Sequence, residues 1–353
     1  MTDAMGTRTM PQRDEMVAAF LSRDGSYDGV FFTGVRTTGI FCRPTCSAKK
    51  PRKENVDFFP STQDALLAGF RPCKRCRPME PTGSQPGWLR ELLRDFDAEP
   101  ARRWTDRDLR ARGLSPERVR RWFRSHHGMT FHAYGRARRL GLALGQIKHG
   151  SGVSQAAYRT GYDSLSGFND AFRRFMGEAP SALADVRVVM VTRVTTPLGP
   201  MVAGSVDDTL CLLEFADRRM IETQILRLQK RLDCVFVPGT SALFTELTSE
   251  LDRYFRGGLA EFSVPLLTPG TEFQRHVWSE LRAIPSGTTR TYGEVAAAIG
   301  RPTAVRAVAR ANGDNRIAIL IPCHRVIGSD GKLTGYGGGL WRKQRLLEIE
   351  RAG

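Results

Sequence analysis

Residues 88–184 read as arginine-rich helical sequence, and from 186 to 194 the pattern changes to an apolar, β-branched run typical of a strand. Within the helical stretch, Leu109 and Ala111 lead to Gly113. Ser115, Pro116 and Glu117 then cap and open a helix toward His127. A second copy follows: a short helix over 154–159, a turn at Thr160, Gly161 and Tyr162, and a longer helix capped by Ser164 and stopped by Gly177. Phe123 to Gly128 and Phe172 to Gly177 repeat Phe, Arg and Gly at the same spacing, offset by 49 residues. The pattern predicts tandem helix-turn-helix units with Trp122, Phe123, Phe168 and Phe172 turned inward. Residues 77–87 have no periodicity and three prolines, so a linker is expected there, assigned to 81–87. Further on, Thr291 and Glu294 form a capping box, Gly300 to Pro302 a turn, and residues 303–311 a second helix.

The chain of 353 residues is too long for one ordinary core, so several domains are expected. Hydrophobic residues at 41% and charged residues at 25% exclude a wholly disordered basic tail. No apolar run of 18 residues occurs and residues 1–12 lack a leader's apolar core, which points to a soluble cytoplasmic protein that does not engage a membrane. The net charge of +16 favours a polyanionic partner, nucleic acid first. Half of that excess lies in residues 88–184, with 18 basic against 10 acidic side chains. Residues 185–265 are slightly acidic, with 9 basic and 11 acidic, whereas 266–353 carry 13 and 7.

Seven cysteines are too few and odd in number for a secreted disulfide scaffold. Four form two close pairs, Cys42-Arg-Pro-Thr-Cys46 and Cys73-Lys-Arg-Cys76, and four thiolates in tight turns suit one tetrahedral zinc ion better than an iron–sulfur cluster. Spacing of this kind favours a structural site. The segments Val35 to Cys46 and Gly69 to Cys76 resemble the metal-binding domain of the Ada-type adaptive-response family. The resemblance implies that Cys42 is both a zinc ligand and the acceptor of a methyl group from a methylphosphotriester in DNA. Methylating one of four zinc-bound thiolates changes the formal charge from about −2 to about −1, which lowers repulsion from phosphates. Arg36, Arg43, Lys49, Lys50, Arg52 and Lys53 are expected to help bind DNA in that state.

Ala157 to Tyr162 and Phe168 to Gly177 resemble the AraC-type DNA-binding domain, covering about 88–183. Two recognition helices on one unit suit successive major-groove segments about 34 Å apart. Arg118, Arg121, Ser164, Ser166 and Asn169 are the candidate DNA contacts.

Near the C-terminus, an apolar run over 317–321 leads into Pro322-Cys-His-Arg-Val326. If this segment is a strand, His324 points away from Cys323 and needs a bent backbone or a bridging water to act as its base. Residue chemistry alone leaves a nucleophile and an inert buried thiol equally open. With Tyr292-Gly-Glu-Val295, the motif resembles the methylated-DNA–protein-cysteine methyltransferases, which repair O6-alkylguanine. That resemblance implies Cys323 as methyl acceptor, His324 as water-mediated base, Glu350 as orienting carboxylate and Asn315 as hinge. It also implies minor-groove docking with Arg306 as a finger into the duplex, Tyr292 to rotate the damaged nucleotide out, and Tyr336 in the receiving pocket. Ala304, Ala307 and Ala311 around Arg306 are expected to give that helix a low-bulk exposed side. Gly337 stands where many relatives carry a polar or bulkier residue, so one hydrogen bond to the alkylated base edge is missing from the motif. No cofactor is needed for transfer to Cys323. Cys211 and Cys234 lack comparable neighbours and read as packing residues.

The expected fold class is multidomain α+β. It comprises a small zinc-binding α/β domain over 1–80, an all-α tandem helix-turn-helix domain of AraC type over 88–184, an RNase H-like α/β subdomain over 185–265, and a helical, winged-helix-like alkyltransferase domain over 266–353. The expected function is irreversible methyl transfer from O6-methylguanine, and O4-methylthymine, to Cys323 and from methylphosphotriesters to Cys42, joined to transcriptional activation. Expected partners are double-stranded DNA, alkylated and promoter, and RNA polymerase, with the protein itself a monomer. The alternatives are an alkylation-sensing regulator with an inactive C-terminal centre, and a zinc-stabilised architectural protein.

Overall fold

Phenylalanines at alternating and turn positions build the first unit. α1 (Arg13–Ser22) lays Met16 and Ala19 against Phe31, beside a small sheet of β1 (Phe32–Val35), β2 (Ile40–Cys42), β3 (Val56–Phe59) and β4 (Arg71–Pro72). The order is β3-β1-β2-β4; β1 is antiparallel to β2 and β3, and β4 is parallel to β2. α2 (Thr62–Leu67), capped by Ser61, buries Ala65 against Phe32 and Phe41. A Cβ at Gly34 would come within 2.6 Å of the Phe59 ring and 2.9 Å of Phe70, so the glycine makes room for that ring pair. The computed structural model describes residues 10–24, 27–79, 86–127, 129–218 and 220–352. Most of the expected 81–87 linker, Gly128 of the repeat, and residues 1–9 of the stretch read for a leader lie outside the described residues.

The tandem helical pattern folds as expected. α3 (Gly87–Ala98), α4 (Asp106–Ala111) and α5 (Pro116–His127) pack around Phe96, Trp104, Phe123 and Phe131, with Thr105 and Asp108 closing a capping box on α4. α6 (Phe131–Lys148) links this unit to α7 (Val153–Arg159) and α8 (Leu165–Met176). Ser164 caps α8 by accepting from the Gly167 amide, and Gly177 ends it at φ 87°. Phe123, Phe168 and Phe172 are fully buried, while Trp122 is half-buried.

The β-branched run becomes β5 (Arg187–Thr196), followed by β6 (Gly199–Val206), β7 (Thr209–Phe215), α9 (Ile221–Leu232) and β8 (Cys234–Pro238). The order β7-β6-β5-β8 is an antiparallel meander with a fourth strand parallel to β5 after the crossover helix. α9 covers one face through Leu228 and Leu232, and Cys211 and Cys234 pack there. α10 (Ala242–Phe255) covers the other through Leu247, Leu251 and Tyr254. The core continues from α10 into α11 (Glu272–Arg282), the short pair β9 (Arg290–Thr291) and β10 (Val326–Ile327), α12 (Tyr292–Ala298), α13 (Val305–Gly313) and α14 (Leu340–Ala352). Backbone bonds also join the halves: the Leu213 amide donates to Arg316 O at 2.8 Å and the Ala318 amide to Leu213 O at 2.7 Å. A second apolar cluster runs from Leu140 and Leu144 of α6 to Val235 and Val237 of β8, so the helical unit and the sheet share packed surface.

Three local expectations are corrected. The second helix of the 291–313 element starts at Val305, two residues later than Thr303. Ala311 is 2% exposed because it faces α11 and the core, leaving Ala304 and Ala307 on the open side. Cys323–Arg325 is a 3₁₀ turn and not a strand, which supplies the bend that His324 needs. Among the described residues, no helix is long and apolar enough to cross a membrane.

Candidate functional site

Sheet pairing assembles the first cluster. β2 ends on Cys42, and its parallel partner β4 leads straight into Cys73, whose amide donates to Phe41 O at 3.0 Å. Tight turns return Cys46 and Cys76: the Cys46 amide donates to Arg43 O at 3.1 Å and the Arg77 amide to Cys73 O at 3.0 Å. All four sulfurs lie within 4.8 Å of one another. Tetrahedral zinc with Zn–S near 2.3 Å needs sulfurs about 3.8 Å apart, so the donor set fits one zinc ion. The Arg43 amide donates to the Cys76 sulfur at 3.4 Å. Arg43 itself is 7% exposed, with Nε directed at Cys76 O at 3.2 Å, so it braces the second cysteine turn and does not face outward as the basic pattern suggested. Arg36 is exposed and tethered to Asp57 at 2.9 Å. Lys49, Arg52 and Lys53 are exposed, and Lys50 is held by Pro44 O at 2.7 Å.

On the helical unit, Arg118, Arg121, Ser164 and Ser166 are exposed and Asn169 is half-buried. Arg118 stacks over the Trp88 ring at 4.8 Å, and the Ser164 hydroxyl is already engaged by the Gly167 amide at 3.1 Å.

The second cluster is built inside the shared core. Ile319, at φ 75°, reverses the apolar run, with the Ile321 amide donating to Ile317 O at 3.0 Å; the turn then presents Cys323, 7% exposed. Asn315 Nδ2 donates to the Cys323 sulfur at 3.1 Å and to Ile321 O at 2.9 Å, while its Oδ1 accepts from the Ile317 amide at 3.0 Å. Burial pushes the Cys323 thiol up, against the Asn315 bond and the charges of Arg218 and Lys343, so the resting group is a protonated thiol.

His324 is fully buried, and its Nε2 lies 2.7 Å from Glu350 Oε1. Burial alone would raise the Glu350 carboxyl, but hydrogen bonds from His324 and Arg325 overcome it and hold the group well below the carboxylate range. An ionised carboxylate only accepts, so Nε2 carries the ring proton and Nδ1 keeps the lone pair. Burial holds His324 below its usual range, against the opposing effect of Glu350, so the ring stays neutral at pH 7. Its Nδ1, the Tyr336 hydroxyl and Asn312 Oδ1 are buried and have no hydrogen-bond partner among the described residues. All three sit around Cys323: Asn312 Nδ2 reaches Cys323 O at 3.5 Å and the Tyr336 ring stands edge-on to His324 at 6.5 Å. Buried polar atoms are seldom left bare, so this cluster is shaped for a polar guest. Tyr292 opens α12 half-buried, and burial keeps its hydroxyl protonated. Arg306 is exposed on α13.

Several residues that hold this centre had no assigned role in the motif. Arg325 donates to both Glu350 oxygens, from Nε at 2.8 Å and Nη2 at 2.9 Å, and Tyr254 adds its hydroxyl at 2.8 Å. Arg325 lies within the Pro-Cys-His-Arg segment, but Tyr254 on α10 has no local signal. Fully buried Lys343 donates to the carbonyls of Val326 and Thr334, fastening the loop that carries Tyr336 to α14, and burial pulls its ammonium down to about 8. Arg342 grips Asp217 with two bonds, at 2.8 and 2.9 Å, and ties α14 to the sheet.

Comparison with known proteins matches the chain part by part. The metal-binding domain of Ada matches residues 15–79, a helix-turn-helix domain 109–185, and the DNA-binding domain of 6-O-methylguanine DNA methyltransferase 272–352. The chain is 33% identical over 343 residues to the bifunctional transcriptional activator/DNA repair enzyme Ada of Escherichia coli, covering 96% of both chains. It is 35% identical over 350 residues to the regulatory protein ada of Salmonella typhimurium, again with 96% of each covered. A methylated-DNA–protein-cysteine methyltransferase of Mycolicibacterium paratuberculosis is 48% identical over 153 residues, 42% of this chain and 90% of that one. With all three parts matched in order and the likeness running nearly end to end, this chain is a member of the Ada family.

Proposed function

We propose that this protein takes methyl groups irreversibly from O6-methylguanine and O4-methylthymine onto Cys323 and from methylphosphotriesters onto Cys42, and activates transcription by sequence-specific binding to double-stranded DNA. The functional units are residues 1–80, 88–184, 185–265 and 266–353, with 81–87 as linker. The observation that carries this reading is the chain Cys323, Asn315, His324 and Glu350 with its three bare buried polar atoms, in a protein whose other cysteine cluster brings four sulfurs within 4.8 Å.

In the C-terminal centre the Cys323 thiol gives its proton, through a water, to Nδ1 of His324, while Glu350 holds the ring and stabilises the imidazolium. The sulfur attacks the methyl carbon in line, the bond from carbon to O6 breaks, and its electron pair passes into guanine. Tyr292 supplies a proton to the ring nitrogen. Tyr336 lines the pocket with its free hydroxyl, and Arg306 enters the duplex from the minor groove as the nucleotide rotates out. Asn315 fixes the sulfur and the turn. The product is a thioether, a poor leaving group, so the centre works once.

Cys42, Cys46, Cys73 and Cys76 hold zinc, which when bound keeps the sulfurs as thiolates and so makes Cys42 nucleophilic at neutral pH. Methylation of Cys42 lowers the negative charge facing DNA, and Arg36, Lys49, Arg52 and Lys53 then bind phosphates more strongly. Arg118, Arg121, Ser166 and Asn169 face promoter DNA, with Ser164 shaping the second recognition helix. RNA polymerase is the partner of the DNA-bound, methylated form, and the protein acts as a cytoplasmic monomer. Incubation with DNA carrying labelled O6-methylguanine tests the enzymatic part: one methyl per protein, abolished by Cys323→Ala, is expected, and turnover beyond one or persistence of the label in the variant contradicts it.

A further inference from the structure

Gly337 leaves the base pocket one side chain short, and the structure fills that space from elsewhere. A Cβ built on Gly337 would stand 2.6 Å from Cζ, 2.7 Å from Nε and 2.9 Å from Nη2 of Arg218. Arg218 follows β7 and belongs to the sheet half of the domain, yet its side chain, 9% exposed, crosses to the pocket. Nη1 is held by the buried carboxylate of Glu214 and by Asn315 O at 3.1 Å, and Nη2 by Gly313 O at 2.6 Å. Cζ is the nearest of the three atoms, so Gly337 lies over the flat face of the guanidinium, and the Nε–H has no partner among the described residues. Phe215 and the Tyr336 ring close the neighbouring side, at 2.7 and 2.9 Å from a Cβ on Gly338.

We propose that Arg218 is a catalytic residue for the transfer to Cys323, its unpaired Nε–H donating to the oxygen of the alkylated base from which the methyl group departs. This rests on the alkyl-transfer reading above. As the bond from sulfur to carbon forms and the bond from carbon to oxygen breaks, the electron pair moves onto that oxygen and into the ring. A fixed cation beside it is a donor aimed where charge develops, and it interacts more strongly with the leaving base than with the neutral substrate. The thiol proton ends on His324 and the ring nitrogen takes its proton from Tyr292, so the exchange balances without another reactant. Glu214 acts as a positioning residue, since it anchors the guanidinium without reaching the pocket. Gly337 is the necessary complement, because a Cβ there would stand 2.6 Å from Cζ and displace the guanidinium.

Single-turnover transfer from O6-methylguanine DNA at saturating concentration, set beside alkylation of Cys323 by iodomethane, tests the assignment. Iodide leaves without an oxygen to stabilise, so the two reactions separate a contact to the base from a general effect on the thiol. Arg218→Met removes a charge that favours the Cys323 thiolate, so it slows alkylation by iodomethane, read by peptide mapping, and is expected to slow transfer from DNA at least tenfold more than that. The double variant Arg218→Met/Glu214→Gln, which leaves no bare buried carboxylate, is expected to behave the same way, and Arg218→Lys to fall between. Equal slowing of both reactions assigns Arg218 to support of the thiol or the turn and overturns the proposal. Wild-type transfer with unchanged rates in the variants overturns it alone, whereas a wild-type protein that takes iodomethane but no methyl from DNA overturns the alkyl-transfer reading as well.

Discussion

Asn315 Nδ2 donates to the sulfur of Cys323 at 3.1 Å, and the same side chain pins both strands of the turn that carries it. A single amide therefore sets the position of the nucleophile and favours its thiolate. Asn315→Ala leaves the Ile317 amide buried and unpaired, a loss of about 1–3 kcal/mol, and takes one of two donors from the Ile321 carbonyl, which keeps the Cys323 amide at 2.8 Å. Asn315→Asp places a negative charge beside the sulfur and raises the thiol further. Both substitutions are expected to slow single-turnover transfer to Cys323 more than tenfold, with Asp slower than Ala at pH 7.

Glu350 is the common acceptor for His324, Arg325 and Tyr254, and the Gly287 amide approaches it at 3.4 Å. Removing its charge leaves a buried guanidinium without its counterion. Glu350→Gln is expected to destabilise the C-terminal unit by about 3–5 kcal/mol. Urea titration of the remaining transfer activity measures it; an unchanged midpoint would show that the network adds nothing to stability.

The pH dependence follows from the folded His324, whose pKa lies below its ordinary value. Neutral imidazole is the competent base, so transfer to Cys323 should hold its plateau at pH 6.5 and decline only at more acidic pH. Stability moves in the same direction. Below pH 6.5 the unfolded histidine takes a proton that the folded one resists, and the unfolded state gains. The depressed Glu350 carboxyl adds its own loss, since its contribution is present above the unfolded carboxylate pKa and disappears as pH falls toward the folded one. An acid limb centred above pH 6.5 would contradict the assignment of His324 as a base held by burial.

Metal binding and folding should be coupled in the first unit, whose apolar clusters are small. Chelation is expected to release one zinc per chain, expose four titratable thiols and abolish the far-ultraviolet signal of the 10–79 segment, while transfer to Cys323 persists. With the metal retained, methylation of Cys42 should tighten DNA binding and make its salt dependence steeper. Equal affinity before and after methylation, across salt, removes the electrostatic switch.

Much of this was legible in the sequence because its signals are local. Paired cysteines, capping boxes, the glycine that stops α8 and the Pro-Cys-His-Arg segment each act within a few residues of themselves. What could not be read depends on distant packing. Arg43 resembles a phosphate ligand in a basic stretch, but the fold places the Cys76 carbonyl within its reach. Ala311 fits an exposed small-residue face until α11 is set against α13. The turn at Cys323 was concealed by an apolar run that reads as a strand, and its bend depends on Ile319 adopting a left-handed conformation. Arg218 and Gly337 are complementary only once β7 lies against the loop after Thr334, and Tyr254 meets Glu350 only across the shared core.

The central claim is that two cysteines in separately built centres each accept one methyl group. Duplex DNA carrying distinguishable labels on O6-methylguanine and on methylphosphotriesters, followed by peptide mapping of the protein, tests it most directly. The guanine label is expected on the Cys323 peptide and the phosphotriester label on the Cys42 peptide, with Cys323→Ala losing the first and keeping the second. Label confined to Cys42, or both labels lost in folded Cys323→Ala protein, would contradict it.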